Sequence, residues 1–413
     1  MGIDEISSAV PPNFVSLFAG AGGLDLGFVN AGWNCLYASD IDPQAVATLL
    51  NNQRRKAGSN RLKSALVEQA DVASLTGKNV LSKVSKRRGD VTAIVGGPPC
   101  QSWSSAGLQL GMEDPRGQLF RDYIRIATEI DARWLVFENV RGLLTARGPD
   151  GVPGSALGLI RTALLQAGFQ TEVDLLNAAD YGVPQRRVRL FMIGYRKGDR
   201  PPFPEATHAK DPLLFEQQFK PWVTLKTCLA SVGKLDLDEV IQPNAALLAQ
   251  LKMLTPGSGV RSPGKKETTR PGGHWGYKQG AFLADLAFPA RTVTASAQQD
   301  WIDDSSLGIR RLCPRECAAI QTFPAEWEFS GKRVDQYRLI GNAVPPLLAQ
   351  AVASELKFHV ESSSLSKVRS SKHVELLPLR PHLTSAIRYT MKEEARNGES
   401  RREAPDRRRI RLI

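Results

Sequence analysis

The stretch IVGGPPCQSWSS, Ile94 to Ser105, ends an apolar run in two glycines and two prolines and then sets a thiol, Cys100, at the head of a polar segment. A free cysteine is ordinarily a small hydrophobe buried within a core. Here the rigid prolines carry it out of the strand toward a helix start, a setting that favours the thiolate, the form that attacks carbon. A carboxyl group closes another apolar run, WLVFENV, at Glu138 and Asn139. An acid at a strand end is commonly a solvated cap. In a crevice beside a thiol its pKa would rise and it could give up a proton. The third group lies in DYGVPQRRVRLFMIGY, where Arg187 and Arg189 alternate along a strand-like run and so share one face. Two guanidiniums there either form salt bridges on a solvated edge or, beside a nucleophile, neutralise a developing oxyanion or grip a phosphate.

A fourth stretch, LFAGAGGLDLGF, follows an apolar run and opens a helix, exposing backbone amides where an anionic group can bind. The dinucleotide fingerprint would need a glycine where Asp25 stands, and the Walker lysine is absent, so NAD and ATP both lose ground. The next run ends at Asp40, able to accept hydrogen bonds from a ribose, with Ile41 beside it as an apolar surface for an adenine. A plain strand-helix turn explains these residues equally well.

The elements that must position these groups follow from periodicity. From Asn13 to about Tyr195 the runs FVSLFAG, NCLYASD, VTAIVGG, RWLVFENV, EVDLLNA and VRLFMIGY alternate with helix-length amphipathic segments, the rhythm of an α/β protein with a parallel sheet and crossover helices. Ligands of open α/β sheets sit beyond the carboxyl ends of the strands, so Gly20, Asp40, Gly97 to Cys100 and Glu138 to Asn139 are expected to converge on one crevice. Four stretches are expected: 13–195 for the first domain, 196–305 for a smaller domain punctuated by Pro and Gly, 306–360 for a return that closes on a helix, and 361–413 for a mobile tail. The return contains RLCPRECAAIQTFP and AVPPLLAQAVASELKFHV, the second with a proline pair suited to a helix start.

Composition sets the outer limits. The 413 residues, 42% hydrophobic, allow a sizeable core, and neither a signal peptide nor a run long enough to cross a membrane is visible. The five cysteines are scattered, without the paired spacing of a zinc site; Cys313 and Cys317 read as ordinary helix residues. The net charge is +12, which favours a polyanionic partner such as nucleic acid. From Glu361 onward 13 basic residues face 7 acidic ones, so the tail supplies half of that surplus. Between Arg196 and Ala290 the balance is 13 to 9, and Arg261, Lys265, Lys266, Arg270, His274, Trp275 and Tyr277 are candidates for phosphate or base contacts, or a solvated loop.

Taken in order, FAGAGG, GGPPCQSWS, ENV, QRRVRLF, RLCPRECAAIQTFP and GNAVPP make the chain resemble the DNA (cytosine-5)-methyltransferases of bacteria and phages, over about Phe14 to Val360. The resemblance implies an S-adenosylmethionine-dependent methyltransferase sheet, Rossmann-like with helices on both faces, and a smaller, irregular target-recognition domain. The cofactor it implies is S-adenosyl-L-methionine: Phe18, Gly20 and Gly22 would line its pocket, Asp40 would bind its ribose, Ile41 would pack on its adenine, Asp71 would meet the adenine edge and Asn342 the methionine end. Ile41 stands where the family often has an aromatic residue, and Ala343 where it often has serine.

The implied chemistry needs a base extruded from the duplex. Cys100 adds to carbon 6, Glu138 stabilises protonated ring nitrogen 3 and holds the exocyclic amino group, and Arg189, with Arg187 close by, supports the ring carbonyl. Pro99 helps to position the base and the thiol, while Gln101, Ser102 and Ser104 fill or contact the vacated stack. ARTVTAS resembles the Thr-containing segment near the end of the family's recognition domain, which brings in Thr292 and Val293. The implied partners are double-stranded DNA and a cognate restriction endonuclease acting on the same site without stable association. No membrane is called for, and a monomer in the cytoplasm is expected. A transfer-RNA cytosine-5 methyltransferase, sharing much of this motif set, and a catalytically silent DNA-binding relative are the rival readings.

Overall fold

The apolar runs fold as strands whose two faces are both buried. The computed structural model describes residues 10–54, 62–99, 115–196, 200–212, 219–264, 280–363 and 375–403. Strands β1 (Asn13–Leu17), β2 (Asn34–Asp40), β3 (Leu66–Gln69), β4 (Ala93–Gly96), β5 (Trp134–Val140), β6 (Gln170–Asn177) and β7 (Val188–Tyr195) form one sheet in the order β3-β2-β1-β4-β5-β7-β6. Successive residues send their side chains to opposite faces. Phe14, Ala38, Trp134 and Val136 therefore join one core cluster, and Val15, Tyr37, Leu135 and Phe137 join the other. Helices α1 (Gly23–Asn30), α2 (Pro43–Arg54), α3 (Gly77–Lys83), α4 (Pro115–Ile130) and α5 (Ser155–Gln166) make the connections.

The expected parallel sheet is mixed at one end. β1 to β5 run parallel, but β7 lies antiparallel between β5 and β6, so β6 takes the edge. β1 pairs with both β2 and β4, and the chain order reverses across it, so a crevice opens beyond its carboxyl end. β3 has no counterpart among the expected runs because its LVEQ is only half-buried to exposed and lacks an apolar stretch.

After Tyr195 the chain builds small pieces: the pair β8 (His208–Ala209) and β9 (Lys220–Pro221), helices α6 (Leu225–Val232) and α7 (Ala245–Lys252), and a four-stranded sheet of β10 (Ser258–Gly259), β11 (Phe282–Leu283), β12 (Trp301–Asp304) and β13 (Gly308–Arg311). β12 and β13 pair antiparallel from Trp301 to Arg311, so the domain boundary expected at 305 falls inside a hairpin, and the smaller unit runs on to Arg311. The chain then returns through α8 (Pro314–Ile320), α9 (Arg333–Asn342) and α10 (Pro346–Ser363). α10 lies against α1 at very close range: a Cβ on Gly27 would sit 2.3 Å from the Ala349 Cβ, and one on Gly23 would sit 2.1 Å from the Val344 carbonyl oxygen. Only glycine permits that approach, which the Trp33 indole fixes further by donating to the Ala353 carbonyl at 3.0 Å.

The tail departs from expectation. Residues 375–380 strap the open flank of the sheet, and α11 (Pro381–Glu403) follows. Leu383 is fully buried, Leu379, Ala386 and Ile387 pack on the same core cluster, and Arg380 and His382 both meet Asp174 of β6, at 2.6 and 2.8 Å. Against the expectation of a mobile tail, residues 375–387 are packed: LLPL and the first turns of α11 have enough apolar surface to seat on β6 and α5. No helix among the described residues is long and apolar enough to cross a membrane.

Candidate active site

The crevice beyond β1 is built from backbone. β1 ends in a loop where Phe18, Gly20 and Gly22 all take positive φ, at 57°, 55° and 83°. For Phe18 this left-handed conformation is strained, and such strain gathers at ligand clamps. A Cβ built on Gly20 meets nothing within 4 Å, so open space lies over the loop. The Gly20 amide donates to one oxygen of Asp40 at 2.8 Å and the Asp42 amide to the other at 2.9 Å, fixing the carboxylate at the crevice rim. Burial raises the Asp40 pKa, and these two amides hold it back. Ile41 is 62% exposed, Asp71 and Asn342 are exposed, and Asp71 ties its own turn by accepting from the Ala73 amide at 2.9 Å. A glycine cradle, a rim carboxylate, an uncovered apolar side chain and two further polar groups suit a nucleoside-bearing cofactor, and S-adenosylmethionine fits this set.

Beyond the carboxyl ends of β4 and β5 lies the second half of the site. Glu138 is 8% exposed, and burial raises its pKa against the opposing charges of Arg189 and Arg187. Arg189 sits diagonally across the β5–β7 pair, its Nε 3.2 Å from Glu138 Oε1. The lead-in to Cys100 passes directly over this carboxyl group, since a Cβ on Gly97 would lie 3.1 Å from Glu138 Oε2. Asn139 secures that lead-in by donating from Nδ2 to the Pro98 carbonyl at 3.1 Å. Its role as the anchor of the loop was not predicted; the only sign of it was an amide beside the acid at a strand end. Pro99 is exposed, while Cys100, Gln101, Ser102 and Ser104 lie outside the described residues.

Arg187 does not share the face of Arg189. β7 begins at Val188, so alternation does not reach back to Arg187, and its guanidinium turns inward to 1% exposure. It donates to the carbonyls of Val293 at 3.0 Å, Gly341 at 2.8 Å and Ala343 at 2.9 Å. Gln185 completes the knot, accepting from the Val293 amide at 2.7 Å and donating to Gln321 at 2.8 Å, while Gln321 donates to the Ile340 carbonyl. The backbones of Gly341 and Thr294 touch so closely that a Cβ on Gly341 would lie 2.1 Å from the Thr294 carbonyl. Arg187 is thus a fastener whose charge also bears on Glu138. Val293 is likewise buried at 3%, and Thr292, half-buried, donates from Oγ1 to the Arg186 carbonyl at 3.0 Å. Both residues join the recognition segment to the lead-in of β7; Val293 presents its backbone to this joint and no side chain to a groove. Arg261 is exposed, while Lys265, Lys266, Arg270, His274, Trp275 and Tyr277 lie outside the described residues.

Known proteins resemble this chain in sequence and in fold. A family model described as C-5 cytosine-specific DNA methylase matches residues 12–358. The chain is 32% identical over 349 residues to the type II methyltransferase M1.HphI of Haemophilus parahaemolyticus, covering 82% of this chain and 85% of that one. It is 31% identical to M.FnuDI of Fusobacterium nucleatum, covering 83% and 93%. In fold it is similar to the S. pombe Dnmt2 methyltransferase, with a TM-score of 0.57 at 16% identity, covering 86% of this chain and 99% of that structure.

Proposed function

The chain belongs to the C-5 cytosine-specific DNA methylases, and from that premise we propose that it methylates cytosine within one short sequence of duplex DNA, through a covalent adduct of Cys100 with a flipped-out base. The activity is that of a DNA (cytosine-5)-methyltransferase, and S-adenosylmethionine is its cofactor. The observation that carries the finer reading is the buried Glu138 carboxyl, paired with Arg189 and lying beneath the Gly97–Pro99 lead-in to Cys100.

Carbon 5 of cytosine is a weak nucleophile, and within a duplex it is out of reach, so the base leaves the stack. The Cys100 thiolate forms a bond to carbon 6, and the displaced electron pair moves through the ring toward carbon 5 and nitrogen 3. Glu138 gives its proton to nitrogen 3 and its carboxylate then holds the exocyclic amino group. Burial, which favours the protonated acid, prepares it for this donation. Arg189 holds the carboxyl in place and faces the ring carbonyl as density builds there. The Phe18–Gly22 loop, Asp40, Ile41, Asp71 and Asn342 would hold S-adenosylmethionine, which when bound would supply an electrophilic methyl group to carbon 5 and leave as S-adenosylhomocysteine. Loss of the carbon 5 proton to solvent restores the 5,6 double bond and expels the Cys100 thiolate, and nitrogen 3 returns its proton to Glu138. Gln101, Ser102 and Ser104 fill the vacated stack, and the 196–311 region reads the sequence.

Relatives named as type II methyltransferases support a role as the modification half of a restriction–modification pair or as a solitary methylase. A Glu138→Gln enzyme keeps the size of the side chain and loses its proton. Its kcat should fall by about 10²–10⁴-fold, with S-adenosylhomocysteine binding retained in calorimetry. Turnover equal to wild type would refute the assigned role.

A further inference from the structure

The carboxy-terminal strap has a direction, and that direction leads to the substrate side. Gln170 of β6 is level with Tyr195, which is level with Trp134, at the amino edge of the sheet; Asn177, Val188 and Val140 mark the carboxyl edge. The strap begins at the amino edge, where Gln170 donates to the Glu375 carbonyl at 2.8 Å and Arg161 donates to the Leu377 carbonyl at 2.5 Å. Arg380 and His382 meet Asp174 midway along β6. Ile387 then reaches Gly154, the residue that caps α5 just beyond the carboxyl end of β5, with its Cδ1 and Cγ2 3.1 and 3.2 Å from the place a Gly154 Cβ would occupy. α11 therefore runs parallel to β6 toward the edge that carries Glu138. It continues from Arg388 to Glu403, about 24 Å at 1.5 Å per residue. Arg388 and Lys392, spaced for one helix face, are exposed and make no ion pair among the described residues. In sequence Arg396, Arg401 and Arg402 follow, interspersed with Glu393, Glu394, Glu399 and Glu403, and then the basic run DRRRIRLI.

We propose that α11 beyond Ile387 lies beside the duplex next to the target cytosine and binds its phosphates, extending the footprint past the recognised sequence. The inference rests on the DNA reading above. It draws on two independent observations, the path of the strap to the catalytic edge and the exposed Arg388 and Lys392, which make no ion pair among the described residues. The segment lies outside the 12–358 family match, so the contact is an addition of this chain to the common machinery.

The test is the salt dependence of binding to a fluorescent random-sequence duplex of about 30 base pairs, comparing the full chain with R388E/K392E and with a chain ending after Ile387. Each phosphate contact contributes about 0.9 to the slope of log Kd against log salt. The double variant should lower the slope by about 2 and weaken binding several-fold at 0.1 M salt; the truncation should lower it further. S-adenosylhomocysteine binding serves as the control that both variants are folded. Unchanged slopes in folded variants would overturn the proposal, as would conversion of a wild-type dimer to a monomer in sedimentation with no change in slope. Failure of the wild type to methylate any DNA would instead overturn the reading on which it rests.

Discussion

At the scale of the residue, the least expected feature is Asp25 in the first turn of α1. It is fully buried, and neither carboxyl oxygen makes a well-formed hydrogen bond among the described residues, the Ser16 hydroxyl lying nearby. Burial raises its pKa to about 7; the charge of Asp40 adds to the shift, while the Ser16 hydroxyl offsets part of it. An unfolded aspartate titrates near 3.9, so between about pH 4 and pH 7 the native state holds a proton that the unfolded chain has lost. The sign follows from linkage: the contribution of Asp25 to stability is greatest below pH 4, falls as pH rises through this window and levels off above it. Denaturant titrations from pH 5 to 8 should show that slope for the wild type and a flatter curve for Asp25→Asn, with the variant the more stable of the two at pH 8. Parallel curves would mean that Asp25 is ionised in the fold. Glu138 is raised by the same burial, which the charges of Arg189 and Arg187 offset in part.

At the scale of the element, the knot around Arg187 ties the lead-in to β7 to two segments more than a hundred residues further along the chain, the recognition segment at Val293 and the end of α9. An Arg187→Met substitution leaves the buried Val293 and Gly341 carbonyls without a donor, at about 1–3 kcal/mol for each, while Ala343 keeps its hydrogen bond from Gln321. Chemical denaturation should register a loss of at least about 2 kcal/mol. A kcat loss at unchanged stability would return Arg187 to the catalytic set. The alternation of Arg187 with Arg189 pointed to a shared face, and it misled because the strand starts one residue too late. Periodicity identified β1, β2, β4, β5, β6 and β7, since a strand buried on both faces must be apolar throughout. It could not say that β7 would insert between β5 and β6, because neighbours in a sheet are chosen by contacts distant in sequence. Short or half-exposed pieces such as β3 and β13 carry too few apolar residues to stand out.

At the scale of the whole molecule, the crevice was legible because strand ends converge by topology: Gly20, Asp40, Gly97 and Glu138 all stand where the carboxyl-edge rule puts them. Charge was legible only as a total. The surplus of +12 pointed to a polyanion, while the place where half of it attaches depended on the strap along β6, whose seat is made by Gln170, Asp174 and Arg161 from a distant part of the chain. Sequence specificity is spread over an irregular region whose base-reading side chains no local pattern marks. The central claim joins Cys100, the edge that carries Glu138 and duplex DNA. The most direct measurement is bisulfite sequencing of plasmid and host DNA from cells expressing the protein, beside a Cys100→Ser control. The account predicts methylcytosine recurring in one short sequence context and absent from the control. Methylation that persists in the control, or none in DNA from well-expressed wild-type protein, would contradict it.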